Sequence, residues 1–345
     1  MTNPIKAVTF GEIMLRLSPP GFERFFQSPV LQATFGGGEA NVAVSLAHFG
    51  FESHYVTRVP ANPIGDGAVR ALRAEGVRTD WVLRGGSRLG IYFAETGASQ
   101  RASTVVYDRA GAAVAELKPG DVPWADVLKG AAWFHVTGIT PALGPGVAEA
   151  TREALAAARA AGARISLDLN YRAKLWSKER AQSVMRPLTA MVDVVIANEE
   201  DIQACLGLEV RDADVTAGRL DVSGYRDVAI RVEKEFGVAQ VAITLRESHS
   251  ASRNGWSAVL YDGPGGGFFE GPRYDVTIVD RIGGGDSFAA GLIYGLATGQ
   301  TAEAALRFAI GASALKQTIP GDFNRVSAAE VARLVQGDQS GRVQR

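Results

Sequence analysis

The stretch Val279-Asp280-Arg281-Ile282-Gly283-Gly284-Gly285-Asp286-Ser287-Phe288 constrains the architecture more than any other part of the sequence. Upstream of it, Tyr274 to Val279 is β-branched and aromatic, which predicts a strand. Downstream, Phe288 to Leu296 has the apolar spacing and small residues of a packed helix. Three glycines between strand and helix let the backbone aim its N–H groups at one point, with no Cβ in the way. The helix N-terminus adds unpaired donors and partial positive charge, so the turn is an anion cradle. A carboxylate beside such a cradle opposes a permanently bound anion. It makes sense where Asp286 takes a proton from a group that attacks a phosphate. Taken alone, the same residues also describe a plain glycine turn with Asp286 as a helix cap.

The chain before this stretch supplies regular alternation. Ala7 to Gly11 reads as a strand, Met14 to Phe35 as an exposed β excursion, and Phe35 to Ala43 as the opening of a helix that closes at Gly50. Val56 to Val59 is a strand, and Asp66 to Glu75 a helix ended by Gly76. Between Trp81 and Asp108 the alternation stops. Gly90 to Glu95 and Ser103 to Asp108 are two strands with no helix between them, and with the first excursion they make a small separate sheet. Alternation then resumes with strands at Trp133–Val136, Arg164–Leu169, Val192–Ala197 and Val241–Leu245, and helices at Val147–Ala161, Ser177–Leu188, from Glu199, and at Tyr225–Phe236. The run predicts a parallel sheet covered on both faces. The expected organisation is one α/β domain over 1–345, with a β lid formed by about 12–35 and 81–110.

Composition narrows the function. An apolar fraction of 46% is enough for a large core, and a formal charge of −1 gives no electrostatic case for nucleic acid or an anionic membrane. No apolar run approaches the length of a membrane span, and no signal pattern opens the chain. Cys205 is the only cysteine, so an internal disulfide framework is excluded and a cytoplasmic setting is expected. There is no Walker-type phosphate loop, no dinucleotide fingerprint, and neither His-Glu-x-x-His nor a cysteine pair for zinc. His48, His54, His135 and His249 sit in unrelated contexts and read as packing or surface residues.

In a parallel sheet, ligands gather beyond the carboxyl ends of the strands. Polar residues follow three of the predicted strands: Asp168, Asn170 and Arg172; then Asn198, Glu199, Glu200 and Asp201; then Gly283 to Asp286. Any one set is what helix caps look like. Three sets at one sheet edge point to a site.

These features together resemble the ribokinase-like (PfkB) sugar kinases. Gly283-Gly284-Gly285-Asp286 is similar to that family's Gly-Ala-Gly-Asp signature, with Gly284 where alanine is usual. Gly36-Gly37-Gly38-Glu39-Ala40-Asn41-Val42-Ala43 resembles its N-terminal Gly-Gly-x-x-x-Asn-x-Ala motif, and Asn198 to Asp201 its Asn-x-x-Glu motif, with aspartate in the fourth place. The resemblance implies a three-layer α/β/α fold with a β lid over a sugar site. It also implies Asp286 as base, the N–H groups of Gly283, Gly284 and Gly285 as anion donors, and Gly36, Gly37 and Asn41 beside the sugar. ATP and Mg2+ are the implied cofactors, with room for a monovalent cation. Glu199 and Asp201 are the implied carboxylates around the metal, the choice between them open. Asn170 and Asn198 are implied on the nucleotide side.

Within the family, finer details resemble 2-keto-3-deoxygluconate kinases. Tyr92, Tyr107-Asp108-Arg109, Asp168-Leu169-Asn170-Tyr171-Arg172 and Asp322 match segments that surround a sugar acid there. A carboxylate suits the guanidinium groups of Arg109 and Arg172, and hydroxyls suit short acceptors. One segment departs from the wider family: Thr244 to Asn254 replaces a glycine-rich nucleotide loop, leaving Arg246, Ser248 and Asn254, with Lys316, as expected nucleotide contacts. The resemblance thus implies an ATP-dependent kinase acting on the terminal hydroxyl of 2-keto-3-deoxygluconate, working as a homo-oligomer. A kinase for fructose, a ketogluconate or a nucleoside is a second reading, and a sugar-sensing protein without catalysis a third.

Overall fold

A computed structural model describes residues 4–209 and 222–338. The strands begin with β1 (Lys6–Phe10), β2 (Met14–Ser18), β3 (Gln32–Gly36), β4 (Glu52–Val59) and β5 (Val82–Arg84). Next come β6 (Gly90–Glu95), β7 (Thr104–Asp108), β8 (Trp133–Thr137), β9 (Arg164–Asp168) and β10 (Val194–Ala197). Then follow β11 (Gln240–Ser250), β12 (Arg253–Asp262), β13 (Gly267–Glu270) and β14 (Tyr274–Thr277).

The large sheet has the order β13-β12-β11-β10-β9-β8-β1-β4-β5, with β14 beside β12. From β11 to β5 every pairing is parallel. Its central strands are buried along their whole length because helices cover both faces. Alternation divides them: Phe134, Leu167 and Val195 point into one apolar layer, and Trp133, Val194 and Ile196 into the other, where Phe288 and Leu292 meet them. The four-stranded sheet β3-β2-β6-β7 stands apart. Its own core is thin: Met14, Tyr92 and Ala94, with Val105 and Ile282 packed against them.

Three expectations change. Val82–Arg84 pairs in parallel with Thr57–Val59 at the edge of the large sheet, so the second lid segment starts at Gly90 rather than near 81. The strand at Tyr274–Thr277 does not feed the parallel sheet. It pairs antiparallel with the start of β12, and the chain reaches the cradle from the side. The polar stretch after Leu245 is no loop either, because β11 continues to Ser250 and returns as β12 in an antiparallel hairpin. Its polar alternation is that of a ribbon with one solvated face. Among the described residues no helix is long and apolar enough to cross a membrane.

Candidate active site

Strand β1 pairs with β4 on one side and β8 on the other, so the winding of the sheet reverses there. A crevice must open beyond the carboxyl ends at such a point. It does, as a cleft of ≈ 430 Å³ floored by Asp168, Asn170, Asn198 and the Gly283–Asp286 turn, and roofed by Tyr92, Tyr107 and Arg109 from the lid.

Gly283 caps the helix Gly284–Ala297 with φ 85°, a left-handed conformation that glycine takes without strain. A Cβ there would lie 2.1 Å from the Asp322 carbonyl oxygen, so the position is doubly closed to side chains. The N–H of Gly284 donates to Arg281 O at 3.2 Å, and that of Ser287 to Gly283 O at 2.9 Å. Among the described residues, the N–H groups of Gly283, Gly285 and Asp286 meet no acceptor. These are the orphan donors expected where a helix begins. With the helix dipole behind them they suit a phosphoryl group. The helix is held from behind by close packing. Cβ atoms on Gly291 and Gly295 would meet the backbone of Ala309 and Ala305 at 2.7 and 2.6 Å, and Ser313 Oγ donates to Gly284 O at 2.6 Å.

Asp286 stands in the first turn of that helix, partly open to the cleft. Asn41 Nδ2 donates to its Oδ2 at 2.7 Å, and Gly37 N–H donates to Asn41 Oδ1 at 3.3 Å. Burial pushes the Asp286 carboxyl up to about 6, opposed by the Asn41 hydrogen bond and assisted by the charge of Asp322. A carboxyl there is charged at neutral pH yet basic enough to accept a hydroxyl proton. Glu39, absent from the sequence-level site, fixes this corner. Its buried Oε1 accepts from the N–H and hydroxyl of Thr137 and the hydroxyl of Thr140 at 2.8, 2.8 and 2.6 Å, tying the Gly37–Asn41 turn to the end of β8.

At the lid end, Tyr92 donates its hydroxyl to Asp322 Oδ2 at 2.5 Å. Arg16, which the sequence did not single out, bridges Asp322 at 2.8 Å and Asp280 at 2.7 Å from within the protein. Gly36 lies outside the cleft lining, and a Cβ there would come 2.0 Å from Asp322 Oδ2. Tyr107 and Arg109 do share one face, with the Arg109 guanidinium over the Tyr107 ring, while Asp108 points away to Arg88. Arg109, however, is paired with the buried carboxylate of Glu12, which sequence reasoning missed. Its charge is therefore partly neutralised. Arg172 is exposed in the cleft, donates only to the Tyr171 carbonyl, and has no ion pair among the described residues.

On the opposite side, Asn198 and Asp201 form a reciprocal capping box for the helix Glu199–Leu206, and Asp201 Oδ1 also accepts from Tyr171 N–H at 2.9 Å. Burial raises the Asp201 carboxyl to about 6, and Asp168 beside it is pushed well above the usual carboxylate range. Glu199 and Glu200 face the cleft nearby. Among the described residues no cluster of three or more ligating side chains exists. The separate cleft carboxylates Asp168, Glu199 and Glu200 are oxygen donors of the kind that hold magnesium through its waters. Of the expected nucleotide contacts, Arg246 and Asn254 line the cleft, and both polar atoms of the fully buried Asn254 carboxamide lack partners among the described residues. Ser248 is exposed on the hairpin outside it. Lys316 is fully buried beneath the cradle, its ammonium spent on backbone carbonyls rather than turned to the cleft.

Comparison with known proteins agrees with this geometry. The solved structure of 2-dehydro-3-deoxygluconokinase from Thermotoga maritima superposes with a TM-score of 0.93 at 48% identity, covering 97% of this chain and 99% of that one. The 2-dehydro-3-deoxygalactonokinase of Haloferax volcanii is 35% identical over 334 residues, 97% of this chain and 98% of its own. The 2-dehydro-3-deoxygluconokinase of Bacillus subtilis is 27% identical over 94% of both chains. The pfkB family carbohydrate kinase model matches residues 5–326. Cradle, carboxylate and lid lie within that match, and the chain belongs to the pfkB family of carbohydrate kinases.

Proposed function

We propose that the protein transfers the γ-phosphoryl group of ATP to the terminal (C6) hydroxyl of a 2-keto-3-deoxy sugar acid, giving 2-keto-3-deoxy-6-phosphogluconate from the gluconate epimer. The observation that carries this reading is the opposition, across one cleft, of Asp286 with its orphan N–H donors and the Tyr92, Tyr107, Arg109 and Arg172 cluster. The names borne by the relatives from Thermotoga, Bacillus and Haloferax support the same substrate class.

In this reading Asp286 removes the hydroxyl proton while the oxygen attacks the γ-phosphorus, and the bond to the leaving ADP oxygen breaks. Asn41 orients the carboxylate, and the N–H groups of Gly283, Gly285 and Asp286 hold the charge on the transferring group. Magnesium, when bound, offsets phosphate charge, and Glu199 with Asp168 would hold its waters. Asp201 is occupied with the helix cap and Tyr171, which favours Glu199 for that part. Asn254 and Arg246 take the nucleotide side. Tyr107 and Arg172 address the acid end of the sugar, with Arg109 released from Glu12 to join them. A cytoplasmic homo-oligomer completes the reading.

A coupled ADP-release assay over both 2-keto-3-deoxy epimers, gluconate, fructose, ribose and a nucleoside tests it. One of the two keto-deoxy acids should give the highest kcat/KM. Fructose or ribose as best substrate would remove the sugar-acid assignment.

A further inference from the structure

Lys316 is the one fully buried lysine among the described residues, and neither the cleft nor the apolar core explains it. It ends the helix Ala302–Lys316. Its ammonium donates to three backbone carbonyl oxygens: Gly321 at 2.6 Å, Asp280 at 3.2 Å and Ile319 at 3.4 Å. Among the described residues no carboxylate oxygen lies within ion-pair distance of it, and the Asp280 and Asp322 carboxylates pair with Arg16 instead. An ammonium ringed by main-chain carbonyls at a helix C-terminus has the surroundings of a bound monovalent cation, because carbonyl dipoles and the negative end of the helix dipole all converge on it.

The carbonyls come from two loops that build the active site. Asp280 opens the Asp280–Gly285 turn, and Ile319 and Gly321 belong to the loop that presents Asp322. The same two loops are tied by Gly321 N–H to Asp280 Oδ2 at 3.0 Å, and by Val279 and Asp280 N–H to Gln317 O at 2.9 and 3.1 Å. The lysine stem also supports the cradle directly, since a Cβ on Gly283 would come within 3.1 Å of Lys316 Cε. Three carbonyl dipoles pointing at one another repel unless a positive charge sits between them. Without that charge the loops would part, and the orphan donors at Gly283 and Gly285 would lose their common aim.

We infer that Lys316 is a positioning residue whose ammonium acts as a tethered monovalent cation, locking the cradle loop to the Asp322 loop so that phosphoryl transfer needs no free cation. The inference rests on the kinase reading of the cleft but not on which sugar is accepted, so it is measured with whichever substrate the panel selects. A chain inactive on every sugar would strike at the functional reading instead.

The test compares the wild type, Lys316→Ala and Lys316→Met in tetramethylammonium, sodium, potassium and ammonium chlorides at equal ionic strength. Wild-type turnover should agree within about twofold among the salts. Lys316→Ala should lose kcat by roughly 30-fold or more in tetramethylammonium with sugar KM changed far less, the pattern of a misaimed cradle rather than a lost binding contact. Potassium or ammonium should restore roughly a fifth or more of the activity, and should raise the melting temperature of that variant but not of the wild type, because a ligand of the native state stabilises it. Lys316→Met, whose stem still fills the cage, should be equally slow and not be restored. Severalfold activation of the wild type by potassium would overturn the inference, and this arm stands even where Lys316→Ala fails to fold. A folded Lys316→Ala with near-normal kcat in tetramethylammonium, or one that no small cation restores or stabilises, would overturn it too.

Discussion

Around Gly283–Asp286 nearly every group is tied from behind. The helix packs backbone to backbone on its neighbour, Ser313 holds Gly284, Lys316 gathers the loop carbonyls, and Asn41 orients the base. Across the cleft the lid shares little of this. Strands β3 and β7 are largely exposed, and its core is three residues with Val105 and Ile282 against them. Arg16 to Asp280 and Asp322, and Tyr92 to Asp322, connect the two halves, and Ser99 at the lid tip exchanges hydrogen bonds with Ala251 and Ser252 of the β11–β12 turn. The difference follows the work each half does. Charge stabilisation needs donors that do not reorganise, whereas a roof must admit and release a sugar.

The comparison breaks most visibly at the base. Asp286→Asn should lower turnover by roughly 100-fold or more with a smaller change in sugar affinity. In the wild type, kcat/KM should fall as pH drops through about 6, where the Asp286 carboxyl takes its proton. Stability should move the other way. The folded-state value lies above the unfolded one, so the charged carboxylate costs stability that is lost as pH rises through about 6. The Asn variant should therefore melt higher than wild type at pH 8, with the gain shrinking toward pH 4. Near-normal turnover in Asp286→Asn would remove it from the chemistry.

The lid residues sharpen the contrast as recognition rather than catalysis. Arg109→Ala alone would strand the buried Glu12 carboxylate, so the informative variant is Arg109→Ala with Glu12→Gln. Its kcat/KM for the best sugar acid should fall by about 2–4 kcal/mol, the range of a lost charged contact, with a much smaller loss for any neutral sugar. An equal loss on all substrates would move Arg109 from recognition to general support.

The mildest effect concerns motion. Hydrogen exchange over residues 91–107 should slow on saturation with sugar, while that of residues 284–297 changes little, because small sheets with thin cores open easily. Unchanged exchange across the lid would mean that it does not close.

The chain determined by itself the α/β class, the separate small sheet, the Gly-Gly-Gly-Asp turn and the strand-end carboxylates. These are local facts of period, glycine and side-chain type, which survive without knowledge of neighbours. It also carried the pairing of Tyr107 with Arg109, since alternation along a strand fixes a face. What it did not carry were partners distant in sequence. Val82–Arg84 has the pattern of a lid strand and joins the large sheet because β4 offers it an edge. The 245–254 stretch looks like a polar loop and is a ribbon because β11 and β12 satisfy each other's backbone. Arg109 and Lys316 read as cations seeking ligands. Only the fold places Glu12 against the first and three carbonyls around the second, because burial makes an unpartnered charge too costly to leave alone.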